Sequence, residues 1–191
     1  MDAIALLKAD HREVESLFKQ FEKLGDRAMK QKEKIVQKII RELAVHAAIE
    51  EMLFYPTVRM AAAKAKTKST AEAGDMVLES LEEHHIVKWT LSELEKMKPD
   101  EERYEPKVKV LMESVQHHVE EEEEELFPKV RKLLNAKMLE ELGERMQKAK
   151  KLAPTRPHPR ASDTPPGNMV SGTIAAMLDK GKDLVRGMLE Q

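Results

Sequence analysis

Two stretches of this chain repeat one pattern, and each carries charge on what should be an apolar face. His46 is followed by Glu50 at +4, Glu51 at +5, Phe54 at +8 and Pro56 at +10. His118 is followed by Glu122, Glu123, Leu126 and Pro128 at the same offsets. The two stretches read HAAIEEMLFYP and HVEEEEEELFP. Residues four apart share a helix face, so each copy points a histidine and a glutamate the same way. That face also carries Ile39, Leu43 and Leu53 in the first copy, and Leu111 and Val115 in the second. It is therefore the face that turns inward.

The segments between the copies repeat as well. His11 has Val14, Phe18, Phe21 and Leu24 at +3, +7, +10 and +13, and His84 has Val87, Leu91, Leu94 and Met97 at those offsets. Counted from His85, the same offsets give Lys88, Ser92, Glu95 and Lys98, a solvent face, so His84 is the inward member of its doublet. His117 paired with Glu121 would place the proline at +11, so His118 and Glu122 match the first copy. His85 and His117 are read as surface neighbours.

Apolar periodicity predicts four long helices: about 2–24, 30–64, 71–97 and 102–134. A kink or break is expected at Pro56. Asn135 is a plausible cap for a shorter fifth helix over about 136–151. Few glycines, 36% charged residues and 4% aromatics agree with long helices and leave a core built of aliphatic side chains and methionine. The expected fold is all-α, an up-down four-helix bundle spanning 1–150. A proline-rich linker follows over 151–168, then an amphipathic C-terminal helix over 169–191 with Ile174, Met177, Leu178, Leu184 and Val185 on its stripe. That helix is expected to dock on its own bundle or on a second copy, giving a homodimer.

Several classes are excluded. There is no cysteine, so disulfides, thiolate metal sites and cysteine catalysis are ruled out. Thirty-three basic residues against 35 acidic ones imply no basic face, so nucleic acid is not an expected partner. No stretch approaches membrane-spanning length. The opening residues, MDAIALLKADHREVE, lack a basic region followed by an apolar run, so a cytoplasmic location is expected.

One inward histidine is an ordinary core residue. Four of them with two inward carboxylates need another explanation, because burying a carboxylate costs several kcal/mol unless its charge is neutralised. A pair of cations in the bundle core would neutralise it. Without cations, Glu50 or Glu122 is expected to take up a proton. The run Glu120 to Glu125 is otherwise read as a solvated face. Tyr55 lies roughly 140° round the helix from Glu50 on α-helical geometry and is read as outside the first shell.

The words DHREVESLF, HAAIEEMLFYP, EEHHIVKWTLSEL and HHVEEEEEELFP resemble the hemerythrin-like family, the HHE cation-binding domain, over residues 1 to 150. The resemblance implies two irons, oxo- or hydroxo-bridged, held by His11, His46, His84 and His118 with Glu50 and Glu122 bridging. Oxygen-carrying hemerythrins have a further histidine one turn on in the third helix; here that position is Lys88. This argues against reversible oxygen carriage. It favours a catalase- or peroxidase-like reaction with a small oxidant, peroxide or oxygen, over the alternative of binding, sensing or storing oxygen, nitric oxide or iron.

Overall fold

The computed structural model describes residues 1–163 and Gly167. Among them all regular structure is helical: α1 Ala3–Glu22, α2 Met29–Ile49, α3 Tyr55–Ala62, α4 Lys68–Ala71, α5 Ala73–Leu94, α6 Tyr104–Glu121, α7 Phe127–Leu133 and α8 Ala136–Lys150. A π-helical turn, Glu50–Phe54, joins α2 to α3 without a break, and a second, Glu122–Leu126, joins α6 to α7. The bundle is thus two helical hairpins, α1 with α2–α3 and α5 with α6–α7, and α8 packs on α1 and α2. Asp2 caps α1 by accepting from the Ala5 amide at 2.7 Å, and Asn135 caps α8 by accepting from the Met138 amide at 3.0 Å.

The kink expected at Pro56 is a π turn instead. Proline has no N–H to donate, and its ring crowds the carbonyl four residues back. Widening the turn just before it, so that the amide of Tyr55 reaches the carbonyl of Glu50, relieves both problems and keeps the helix continuous. The second copy does the same ahead of Pro128, with the Phe127 amide reaching the Glu122 carbonyl.

The interior divides into three layers. One apolar core holds Leu7, Ile49, Phe54, Val77, Leu126, Val130 and the inner face of α8. The other holds Val14, Phe18, Ile39, Leu43, Val87, Leu91, Leu111 and Val115. Between them lie His11, His46, Glu50, His84, His118 and Glu122, all buried. Each of the four long helices runs from one core to the other, and each supplies its histidine where it crosses the middle.

Over residues 151–163 the proline-rich segment is not helical, as expected, but it does not stand clear of the bundle. Ala153, Pro154 and Pro157 are buried, Arg156 pairs with Glu95 at the end of α5, and the Arg160 guanidinium lies 5.9 Å from the Trp89 ring centre. The amphipathic helix expected over 169–191 lies outside the described residues. No helix among the described residues is long and apolar enough to cross a membrane.

Gly143 of α8 marks the tightest helix contact with the N-terminus. A Cβ there would stand 2.4 Å from the Met1 carbonyl oxygen and 2.8 Å from the Ala3 amide, both backbone atoms. Gly143→Ala is expected to lower the melting temperature by several degrees. Overpacking of this kind costs about 1–3 kcal/mol, and each kcal/mol moves the transition by about 2–4 °C in a chain of this size. Gly74→Ala meets only the Ala62 Cβ, at 3.5 Å, and should leave the transition unchanged or raise it. Thermal unfolding followed by circular dichroism checks both.

Candidate metal centre

The six residues singled out by spacing converge on one point. Glu50 Oε2 lies 3.0 Å from His46 Nε2 and 3.4 Å from His84 Nε2. Glu122 Oε2 lies 3.4 Å from His11 Nε2 and 3.7 Å from His118 Nε2. Each glutamate therefore faces one histidine of its own hairpin and one of the other. Within 4.8 Å of one another stand ligand atoms of His11, His46, Glu50 and Glu122, and again of Glu50, His84 and His118. His85 and His117 are exposed, as expected from their offsets.

All four imidazoles aim Nε2 inward because a carboxylate waits at each Nδ1. Glu123 lies 2.8 Å from Nδ1 of His11, Glu51 lies 3.1 Å from that of His84, and Glu83 lies 2.7 Å from that of His118. Asp10 stands 3.7 Å from Nδ1 of His46. A carboxylate has no proton to give, so at His11, His84 and His118 Nδ1–H is the donor and the Nε2 lone pair is left for the centre. These partners obey the chain's internal symmetry. The acid just before the histidine of α1 or α5 serves the neighbouring helix of its own hairpin. The glutamate at +5 in each copy crosses to the other hairpin.

Sequence reasoning missed these partners, and two of its readings need correction. Glu123, expected on a solvated face, is half-buried and bonds both His11 and, at 2.8 Å, Lys8. Lys88 is buried, not solvent-facing, and donates to Glu51 at 2.9 and 3.0 Å. The available signal was the acid preceding each odd-helix histidine, Asp10 and Glu83, together with the doubled glutamate in both copies.

Tyr55 is a third correction. On α-helical geometry it faces away from Glu50, but the π turn brings residue i+5 back over residue i. Its hydroxyl donates to Glu122 Oε1 at 2.9 Å and lies 3.3 Å from His84 Nε2. Burial, with Glu122 and then Glu50 nearby, pushes its pKa well above the usual phenol value, so it stays a donor. The equivalent position in the second copy is Phe127, which stacks on His11 with ring centres 6.0 Å apart. The two halves match in imidazoles and carboxylates and differ in this one hydroxyl.

Electrostatics within the layer correct the expected protonation of Glu50. Burial alone would raise its pKa, but the charge and hydrogen bond of His46, joined by His84, hold it well below the carboxylate range. Desolvation by itself would lower His46, yet Glu50 and Asp10 outweigh it and raise it from 6.5 to about 10. His84 is likewise desolvated but is raised from 6.5 to about 9 by Glu50 and Glu51. In a metal-free chain His46 and His84, not Glu50, hold the protons. Three buried atoms facing the centre still lack a hydrogen-bond partner: His11 Nε2, Glu50 Oε1 and Glu122 Oε2. Inward lone pairs on imidazole and carboxylate, left unused by the protein, fit a cation.

The sign of the pH dependence follows. Folded-state pKa values raised above the unfolded value stabilise fully below the unfolded pKa, and that stabilisation is lost as pH rises through the folded pKa. Chelator-treated protein is expected to lose melting temperature progressively between pH 7 and 10, the span set by the raised values of His46 and His84. Metal-loaded protein should change less, since a cation replaces the protons. A metal-free transition that rises over this range would contradict the assignment.

Residues 2–130 match the hemerythrin HHE cation binding domain. A hemerythrin-like protein of Schizosaccharomyces pombe is 30% identical over 176 residues, covering 92% of this chain and 82% of that one. A DNA nickase of Nostoc is 27% identical over 145 residues, 76% of this chain but 38% of the nickase. Among solved structures, an HHE cation binding domain-containing protein of Mycobacterium kansasii superposes with a TM-score of 0.64 at 23% identity, over 79% of this chain and 86% of that one. With its family-specific motifs gathered into one buried cluster of imidazoles and carboxylates, the chain belongs to the hemerythrin HHE cation-binding family.

Proposed function

We propose that this domain holds two irons through His11, His46, Glu50, His84, His118 and Glu122, and that the centre consumes hydrogen peroxide. The observation that carries the choice of substrate is a small, largely apolar cavity of about 30 Å³ beside the centre. All four imidazoles line it, with walls of Val14, Leu43, Val87, Val115 and Val119. A space of this size holds a molecule on the scale of one or two waters. It suits peroxide, oxygen or nitric oxide and refuses an organic substrate.

Ligand arithmetic favours turnover over storage of a stable adduct. Four imidazoles and two carboxylates would supply about eight bonds, fewer than the roughly twelve that two six-coordinate ions would take. The remaining positions are open to exchange, as metal catalysis requires. Bound at these residues, iron would supply the two electrons that, with two protons, take one peroxide to two waters, and would recover both from a second peroxide oxidised to oxygen. The chain's part is to exclude bulk water, admit only small molecules and fix the carboxylates. Tyr55 does the last from the side away from the cavity by donating to Glu122. The bundle, 1–150, carries all of this. We assign the rest of the chain no part in the chemistry.

Iron-loaded protein is expected to contain two irons per chain by elemental analysis and to evolve oxygen from peroxide. Glu122→Ala should lose most of that activity. A stable, reversible oxygen adduct without peroxide turnover would replace this reading with a carrier or sensor. The histidine doublets test the ligand assignment separately. His84→Ala and His118→Ala should lose metal, whereas His85→Ala and His117→Ala should keep it.

A further inference from the structure

The small cavity beside the centre shares part of its wall with a larger space at the protein surface. A surface cleft of about 560 Å³ runs between α1 and α6. Three residues line both spaces: His11, Val115 and Val119. His11 and Val115 are buried, and the His11 ring is fixed by Glu123 on one side and stacked on Phe127 on the other. Val119 is half-buried, on the outer edge of the aliphatic core. It is thus the least buried of the three residues that separate the two spaces. A valine has a single χ1 to rotate, and such flips occur at exposed positions in picoseconds to nanoseconds.

We propose that small uncharged molecules reach the centre from the α1–α6 cleft and that Val119 is the gate that sets their rate and size limit. The charge of the cleft supports the class. Its walls carry Glu15, Glu120, Glu123 and Glu124 against Lys8 and Arg12, and Lys8 is already engaged by Glu123 at 2.8 Å. An excess of carboxylates at a mouth repels anions and leaves neutral molecules unaffected. Hydrogen peroxide, oxygen and nitric oxide are neutral, whereas superoxide and azide are not. The inference rests on the metal centre proposed above for what the gate serves. The path itself is a property of the chain.

Stopped-flow mixing of the reduced, iron-loaded protein with nitric oxide tests the gate. A gate changes entry and exit by one factor and leaves the equilibrium alone. Val119→Trp should slow both association and dissociation by about tenfold or more, with Kd unchanged. Val119→Ala should speed both. Ile86→Trp, on the exposed side of α5, should do neither. An on-rate indifferent to Val119, or a changed Kd at constant on-rate, would overturn the proposal. A second arm needs no iron chemistry. In zinc-loaded, diamagnetic protein, dissolved oxygen should enhance methyl relaxation at Val14, Leu43 and Val87, and Val119→Trp should reduce that enhancement. Its absence in the unsubstituted chain would also overturn the proposal. A centre that binds no nitric oxide would count against the metal reading alone, because the oxygen arm still decides the gate.

Discussion

Everything in this bundle is arranged around the cost of placing two carboxylates between two apolar cores. Glu50 and Glu122 are fully buried, and an unpaired charge in such a place costs several kcal/mol, a large share of a domain's margin of stability. The chain answers with four imidazoles at 3.0 to 3.7 Å from those carboxylates. It then surrounds the imidazoles with an outer ring of acids, Asp10, Glu51, Glu83 and Glu123, three of whose charges are in turn met by lysines. Lys150 lies 2.6 Å from Asp10, Lys88 holds Glu51 and Lys8 holds Glu123. Charge alternates outward in shells. The innermost shell keeps lone pairs that no protein group uses, and a cation is the species that completes the alternation.

The internal symmetry explains why one short motif can do so much. A histidine, a glutamate one turn on and a second glutamate next to it provide a ligand for the near side, a carboxylate that spans the centre, and an orienting group for the far hairpin. Written twice, the motif ties the two hairpins to each other at the level where neither core reaches. The acids at +5 are the cross-links: Glu51 belongs to the first hairpin and serves His84 of the second, and Glu123 does the reverse. A hairpin alone would leave its outer acid and its inner histidine unpaired.

The helices, their order, the inward histidines and the two spanning glutamates were legible because they follow from a period of 3.6 and from repetition. Three things were not, and for one kind of reason. Tyr55 was rotated out of the site by assuming an α-helical turn, when Pro56 had made the turn a wider one. Lys88 and Glu123 were assigned to solvent because each is charged. A charged residue reads as exposed until its partner is known, and their partners, Glu51 and His11, lie 37 and 112 residues away in sequence. Single-helix geometry says where a side chain points. It does not say which helix it meets there.

The part of the chain beyond the matched family region, 2–130, also reaches the centre. Helix α8 crosses the N-terminus at Gly143, where a Cβ would meet backbone, and that close approach lets its last turn place Lys150 against Asp10. Asp10 in turn faces His46, and its own pKa is lowered because His46 and Lys150 outweigh the raising effect of burial. The strap that follows buries Pro154 and Pro157 and ends its described course beside Glu95 and Trp89 on α5. It holds α8 from its C-terminal side as the Gly143 contact holds it within. The charge that faces one imidazole at the centre is therefore itself held by a helix that supplies none of the six residues there. That hold depends in turn on a missing side chain, at a glycine, that lets that helix come close enough.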